Sequence, residues 1–269
     1  MAEVFNVTRS GFYAWAQREP SSTAARQAGL VEQIRQVHEE SFFTYGSPRV
    51  HAELEEKGIA VCVNTVAKLM KQQEIRSVMH QKFVPQTTDS NHDLPVAPNR
   101  LDQDFSADLP DQKWVCDITY IFTDEGTLYL AAVMDLCSRK IIGWAMDENM
   151  QTQLCLDAMD MALQSRKPGS DLIHHSDRGA QYASHDYSRL LQLHDIQVSM
   201  SRVGNCYDNA AMESFWGTLK TEWVYPRSFR TREEARQSIF KYIECWYNRR
   251  RRHSAIGYKS PEQFEASLS

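Results

Sequence analysis

The chain has 269 residues, enough at about 150 per domain for one large domain or two modest ones whose core needs no disulfide or metal staples. Apolar residues at 42%, aromatic at 10% and charged at 24% match ordinary globular usage and exclude a disordered, collagenous or coiled-coil chain. The net charge of −5 conceals a separation, because residues 82–135 carry ten acids and three bases while residues 223–259 carry ten bases and three acids. Such asymmetry suits cations held at one place and a polyanion at another.

From Ala24 to Gln81 the apolar residues follow a helical period: Leu30, Ile34 and Val37, then Val50 and Leu54, then Val63, Val66, Leu69 and Met70. Ser47-Pro48 reads as a capping serine with proline at the first helical position, Gly58 as the stop, and Asn64 as the cap of the next helix. Two short helices joined by a tight glycine-containing connection predict a helix-turn-helix-like unit over residues 1–81. Residues 82–110 carry Pro85, Pro95, Pro98 and Pro110 without a sustained period and read as a linker.

Beyond the linker the period becomes two. Lys113 to Phe122, Leu128 to Asp135 and Lys140 to Met146 predict an antiparallel meander, with Thr123-Asp124-Glu125-Gly126 as a turn. A helix over 152–166, a strand over 172–176, a helix over 184–194 and a strand over 196–200 follow. The predicted fold class is α/β, a ribonuclease-H-like mixed sheet with flanking helices, preceded by a small all-α domain. A catalytic core is expected over 111–224 and a basic helical segment over 225–269.

The longest apolar run, Leu128 to Met134, is seven residues, far short of the roughly 18 that suggest a membrane span. With no signal-peptide pattern at the N-terminus, a cytosolic protein without a membrane partner is expected. The six cysteines form no C-x-x-C pair, which argues against a structural zinc site and a secreted disulfide framework.

Three carboxylates stand out. Asp117 lies mid-strand between apolar neighbours, where a carboxylate needs a cation or a donor. Asp177 ends a strand, and the carboxyl ends of strands are where open α/β sheets bind ligands. Glu213 opens a helical segment whose first turn Asp208 or Asn209 can cap. Together they offer a clamp for two magnesium ions, although Asp124, Asp135, Asp171, Asp186 and Asp208 compete for the same role.

The surrounding blocks carry a resemblance. Tyr45-Gly46-Ser47-Pro48-Arg49-Val50, Trp114 to Thr119, His175-Ser176-Asp177-Arg178-Gly179 with Gln181-Tyr182, Gly204 to Asn209 leading into Glu213-Ser214-Phe215, and Tyr247-Asn248-Arg249 through His253 to Pro261 occur in order, with 35 residues between Asp177 and Glu213. This resembles the second-reading-frame product of IS3-family insertion-sequence transposases, members of the retroviral-integrase-like superfamily with a D, D, 35, E signature. The resemblance implies a DNA transposase that cleaves and joins strands by phosphoryl transfer, with Asp117, Asp177 and Glu213 binding two Mg²⁺ ions that Mn²⁺ can replace. It implies terminal inverted repeats and target DNA as partners, a homo-oligomer on DNA, an upstream-frame protein or fusion segment, and a bacterial cytoplasm with nucleoid association when DNA is bound. No His/His…Cys/Cys zinc module is present, unlike a retroviral integrase proper. The rival readings are an element-encoded DNA-binding regulator without catalysis, and a general nuclease of the same fold.

Lys220 lies two turns after Glu213 and is read either as a contact to a DNA phosphate or as a solvated lysine. His175 shares a strand face with Asp177 and is read as touching DNA, ordering an aspartate or being satisfied within the sheet. Arg249, Arg250, Arg251 and Arg252 with His253 repel one another unless a polyanion or acids relieve them, so DNA backbone binding is the preferred reading over a solvated run. Trp216 and Trp223 read as core residues first and base-stacking candidates second.

Overall fold

The computed structural model describes residues 8–19, 21–78, 96–202 and 206–268. The chain forms two compact units that divide after Val78. Residues 82–95 of the expected linker, and Gly204 and Asn205, lie outside the described residues.

The first unit holds four helices: α1 (Arg9–Ala16), α2 (Ser22–Glu40), α3 (Ser47–Glu56) and α4 (Val63–Gln72). The periodic apolar residues are buried as expected, among them Ile34, Val37, Val50, Leu54 and Val66, together with Tyr45. At Gly58 the chain takes φ +75°, a left-handed turn that glycine adopts without a Cβ penalty, and the Ile59 amide closes onto the Leu54 carbonyl at 2.8 Å. The two expected caps are corrected. Gly46, not Ser47, is the N-cap of α3, which places Pro48 at the second helical position. Cys62 is the N-cap of α4, so Asn64 lies inside the helix.

The second unit is built on five strands, β1 (Lys113–Thr123), β2 (Gly126–Asp135), β3 (Ile141–Asp147), β4 (Ile173–Ser176) and β5 (Gln197–Met200), in the order β3-β2-β1-β4-β5. The first three are antiparallel, and β4 and β5 run parallel to β1 and to each other. Each begins and ends within two residues of its expected bounds. The β1–β2 turn is the two-residue loop Asp124-Glu125, closed by Gly126 at φ +115°.

Helices α5 (Thr152–Ser165) and α6 (His185–Leu193) cover one face, burying Leu154, Met159, Ala162, Tyr187 and Leu191 against Trp114, Cys116, Ala131 and Val133. Strand alternation sends Asp117 to the other face, toward α7 (Ala210–Leu219). Two helices widen at their ends to i→i+5 closure. Beyond α7 the Tyr225 amide reaches the Lys220 carbonyl, and beyond α8 (Arg232–Phe240) the Asn248 amide reaches the Ile243 carbonyl. The C-terminal segment, which ends in α9 (Pro261–Ala266), is fastened to the sheet. The Asn248 side chain accepts from the Ile141 N–H through Oδ1 (2.9 Å) and donates from Nδ2 to the Ile141 carbonyl (2.8 Å), occupying the edge of β3.

Helix α5 approaches β3 closely because position 143 is glycine. A Cβ there would stand 2.7 Å from the Ala162 nitrogen and closer still to the Ala158 carbonyl. Gly143→Ala is therefore expected to force α5 from the sheet and lower stability by about 3 kcal/mol, the upper end of ordinary overpacking. A urea-denaturation midpoint equal to wild type would contradict this packing.

Candidate active site

The register of β1 against β4 sets the site. Lys113, Trp114 and Val115 pair with Ile173, His174 and His175, a constant offset of 60, after which the two strands part. Two residues further along each strand stand Asp117 and Asp177. They therefore emerge from neighbouring strands at one level of the fork, at the carboxyl ends where an open sheet offers a crevice. The Asp117 Oδ1 accepts the Ile118 amide at 2.8 Å and its Oδ2 accepts the Trp216 indole N–H at 3.0 Å. The Asp177 Oδ1 accepts the Gly179 amide at 2.9 Å in a tight turn where a Cβ on residue 179 would come within 3.1 Å of that same oxygen. Burial, and secondly the charge of Asp177, push the Asp117 carboxyl up to about 8, with Glu213 adding to the rise and the two donors opposing it.

Glu213 occupies the first turn of α7 and remains exposed, with partial desolvation raising its carboxyl. Among the described residues no three Asp, Glu, His or Cys side chains are drawn together tightly enough to hold an ion as they stand. The helix carrying Glu213 is nevertheless pinned on both sides of it to the strand of Asp117. Four residues earlier, the buried Asn209 donates its side-chain amide to the Cys116 carbonyl at 3.1 Å. Three residues later, Trp216 makes its bond to Asp117.

Neither residue expected to cap α7 does so through its side chain. Asp208 is fully buried and accepts from the Arg202 backbone and guanidinium (2.8–3.1 Å) and from the Asn99 and Gln103 side-chain amides (both 3.0 Å). Arg202 holds its carboxyl well below the usual carboxylate range. The stretch entering the core is thereby tied to the loop that leads into α7. Sequence reasoning missed Asn209, Trp216 and Asp208 in these roles because each bonds to residues about 90 to 110 positions away, and no local pattern reports such a pairing.

The residues expected to contact DNA lie in distinct settings. His175 is fully buried, with Nδ1 2.8 Å from the Ser199 hydroxyl and Nε2 3.1 Å from that of Ser201, and burial lowers it to about 4. It is a satisfied, neutral sheet histidine. Lys220 is 5% exposed, its ammonium 4.5 Å from the centre of the Tyr120 ring, so it is not a solvated lysine. The run at 249–253 divides by burial. The Arg251 guanidinium is buried in a two-pronged bond to Glu222 (2.6 and 2.7 Å), and Arg252 donates to the Tyr258 carbonyl at 2.8 Å. His253 packs edge-on against Tyr247 at 4.7 Å. An acid from the wide turn after α7 relieves Arg251. Only Arg249 and Arg250 are exposed, and Arg249 lies 3.5 Å from Glu262. Trp216 and Trp223 are core residues.

Two family models described as Integrase core domain match residues 107–206 and 194–261, and one described as HTH-like domain matches residues 24–83. The chain is 47% identical to an insertion element IS600 uncharacterized 31 kDa protein of Shigella sonnei, over 98% of this chain and 97% of that one. It is 46% identical to the transposase InsF for insertion sequence IS3A of Escherichia coli K12, over 98% and 92%. Among solved structures it is similar to a chain in the cryoEM structure of the simian T-cell lymphotropic virus intasome in complex with PP2A regulatory subunit B56 gamma, with a TM-score of 0.50, 14% identity and coverage of 86% and 74%.

Breaking the buried Glu222–Arg251 pair by Arg251→Met leaves an uncompensated carboxylate and is expected to cost about 3–5 kcal/mol, whereas exposed Arg249→Ala stays within about 1 kcal/mol. Equal denaturation midpoints for the two variants would refute the division of the basic run. A carboxyl raised in the folded state stabilises below the unfolded value near 4 and loses that contribution as pH rises toward its folded value, here about 8. The metal-free protein should therefore lose stability between pH 5 and pH 8, and Asp117→Asn should flatten that slope and raise the melting temperature at pH 8. An unchanged slope in the variant would count against the charge crowding described for Asp117.

Proposed function

This chain belongs to the IS3-family transposases, with an integrase core and a helix-turn-helix-like domain, and we propose that Asp117, Asp177 and Glu213 carry its DNA strand cleavage and strand transfer. The observation behind this reading is the shared level of Asp117 and Asp177 at the β1–β4 fork, beside a helix that is bonded to Asp117 through Trp216 and carries Glu213 in its first turn.

The donor set fits a divalent cation. Carboxylate oxygens suit Mg²⁺ and Mn²⁺, and an Asp117 carboxyl driven up by burial and by Asp177 is a group that a cation returns to its ionised state. Asp117 and Asp177 would hold the metal, two Mg²⁺ ions in the full site, with Glu213 completing it. When bound, such ions activate the attacking hydroxyl and stabilise the departing 3′ oxygen. The protein's own part is orientation. The Ile118 amide and Trp216 indole fix the two oxygens of Asp117, the Gly179 amide fixes one of Asp177, and Asn209 sets the start of the helix that carries Glu213. No residue needs to form a covalent intermediate: in cleavage water takes the place of the departing 3′ oxygen on phosphorus, and in strand transfer a DNA 3′-hydroxyl does, exchanging one phosphodiester for another.

On the same reading the partners are the element's terminal inverted repeats and target DNA, brought together by more than one copy of the chain in the bacterial cytoplasm. The HTH-like match over 24–83 supports end recognition by the first unit. Among the described residues no helix is long and apolar enough to cross a membrane.

Asp117→Asn, Asp177→Asn and Glu213→Gln should each reduce Mg²⁺-dependent cleavage of a terminal-repeat oligonucleotide by more than about 100-fold, beyond what losing a supporting hydrogen bond to a metal ligand costs. Retention of cleavage by any of the three would remove that residue from the site.

A further inference from the structure

The two tryptophans read as candidates for stacking on bases are buried, and other rings face solvent beside the candidate site. Phe122 is 68% exposed and Tyr225 is 47% exposed. Beside Phe122 lies the half-buried Tyr120, its ring centre 5.0 Å from that of Phe122, with the Lys220 ammonium 4.5 Å from its own centre. By alternation Tyr120 and Phe122 share the face of β1 opposite Asp117, and Tyr120 meets the end of α7 through Lys220. The wide turn after α7 brings Tyr225 next to Lys220, its amide bonded to the Lys220 carbonyl at 2.8 Å. Pairing of β1 with β4 ends at Val115, so this stretch of β1 projects beyond its parallel neighbour. The rings thus stand on the strand that carries Asp117 and at the end of the helix that carries Glu213.

We propose that Tyr120, Phe122 and Tyr225 form a stacking shelf for an unpaired nucleobase of the DNA end being processed. The inference rests on Asp117 belonging to the reacting centre. Tyr120 and Phe122 lie three and five residues beyond it, about 10 and 17 Å at 3.3 Å per residue. That corresponds to roughly three to five nucleotides at 3.4 Å of rise per nucleotide. Bases inside a duplex already have stacking partners on both faces, whereas a splayed base gains from an aromatic plane whatever its identity. Lys220, held behind Tyr120, fixes that ring in place and puts a cation beneath a surface that meets a polyanion.

The test uses the full chain and two terminal-repeat duplexes, one fully paired and one with its last five base pairs mismatched, bound in Ca²⁺. A 5-iodouracil at each of those positions reports contacts by photocrosslinking and mass spectrometry. Wild type should prefer the splayed end and crosslink to Phe122, Tyr120 or Tyr225. Phe122→Ala should lose at least about fivefold of that preference, the low end of base–aromatic stacking, and Phe122→Trp should restore it. An unchanged preference in both Phe122→Ala and Tyr225→Ala, or crosslinks only elsewhere, overturns the shelf. A change confined to oligomeric state assigns the patch to contact between copies of the chain and overturns it as well. Cleavage by Asp117→Asn is read in parallel. If it is abolished while the shelf variants bind as wild type, the carboxylate site stands and the shelf alone fails.

Discussion

Two carboxylates at one level of a parallel strand pair are the constraint around which the second unit is arranged. The offset of 60 between β1 and β4 carries Asp117 and Asp177 to the point where the strands part. Like charges there raise each other's cost of ionisation, and burial compounds it. The local structure answers with donors: a backbone amide and an indole on Asp117, and a backbone amide within a glycine turn on Asp177. Those bonds orient the oxygens without neutralising them, so the remaining demand is for a cation.

The helix carrying Glu213 depends on the same strand. Asn209 and Trp216 fasten it to Cys116 and Asp117, and Asp208 fastens the preceding loop to residues 99 and 103. Each anchor is buried, where a lost partner costs more than it does in water. Glu213 itself stays exposed, which leaves its carboxylate available while the backbone beneath it is held.

Charge along the chain has two uses that composition does not separate. The basic segment after residue 223 looks like one feature, yet Arg251 is committed to Glu222 and Arg252 to the Tyr258 carbonyl, while Arg249 and Arg250 face outward. The change from exposed to buried within this short run follows the wide turn at 241–247, after which Arg251 points inward, its guanidinium 5.9 Å from the centre of the Tyr247 ring. The aromatic residues reverse in the same way. Trp216 and Trp223 go inside, and Phe122 and Tyr225 remain at the surface.

Much of the fold was legible in the sequence because its signals are local. Alternation in 113–122 and 128–135, the helical period over 24–70 and the turn at Gly126 each reflect neighbours a few positions apart, and the observed bounds lie close to those expected. The three acids are singled out in the sequence by their flanking blocks and by the interval of 35 residues between Asp177 and Glu213. What only the tertiary structure decided is which side chains spend their polar groups on distant partners. His175 between Ser199 and Ser201, Lys220 against Tyr120, Arg251 on Glu222, and Trp216 on Asp117 are pairings across 24 to 100 residues. A charge or an imidazole has the same composition whether it meets DNA or a buried acid. The choice between them is made by strand register and helix packing, which bring the partner within hydrogen-bond distance before solvent or a ligand can reach it.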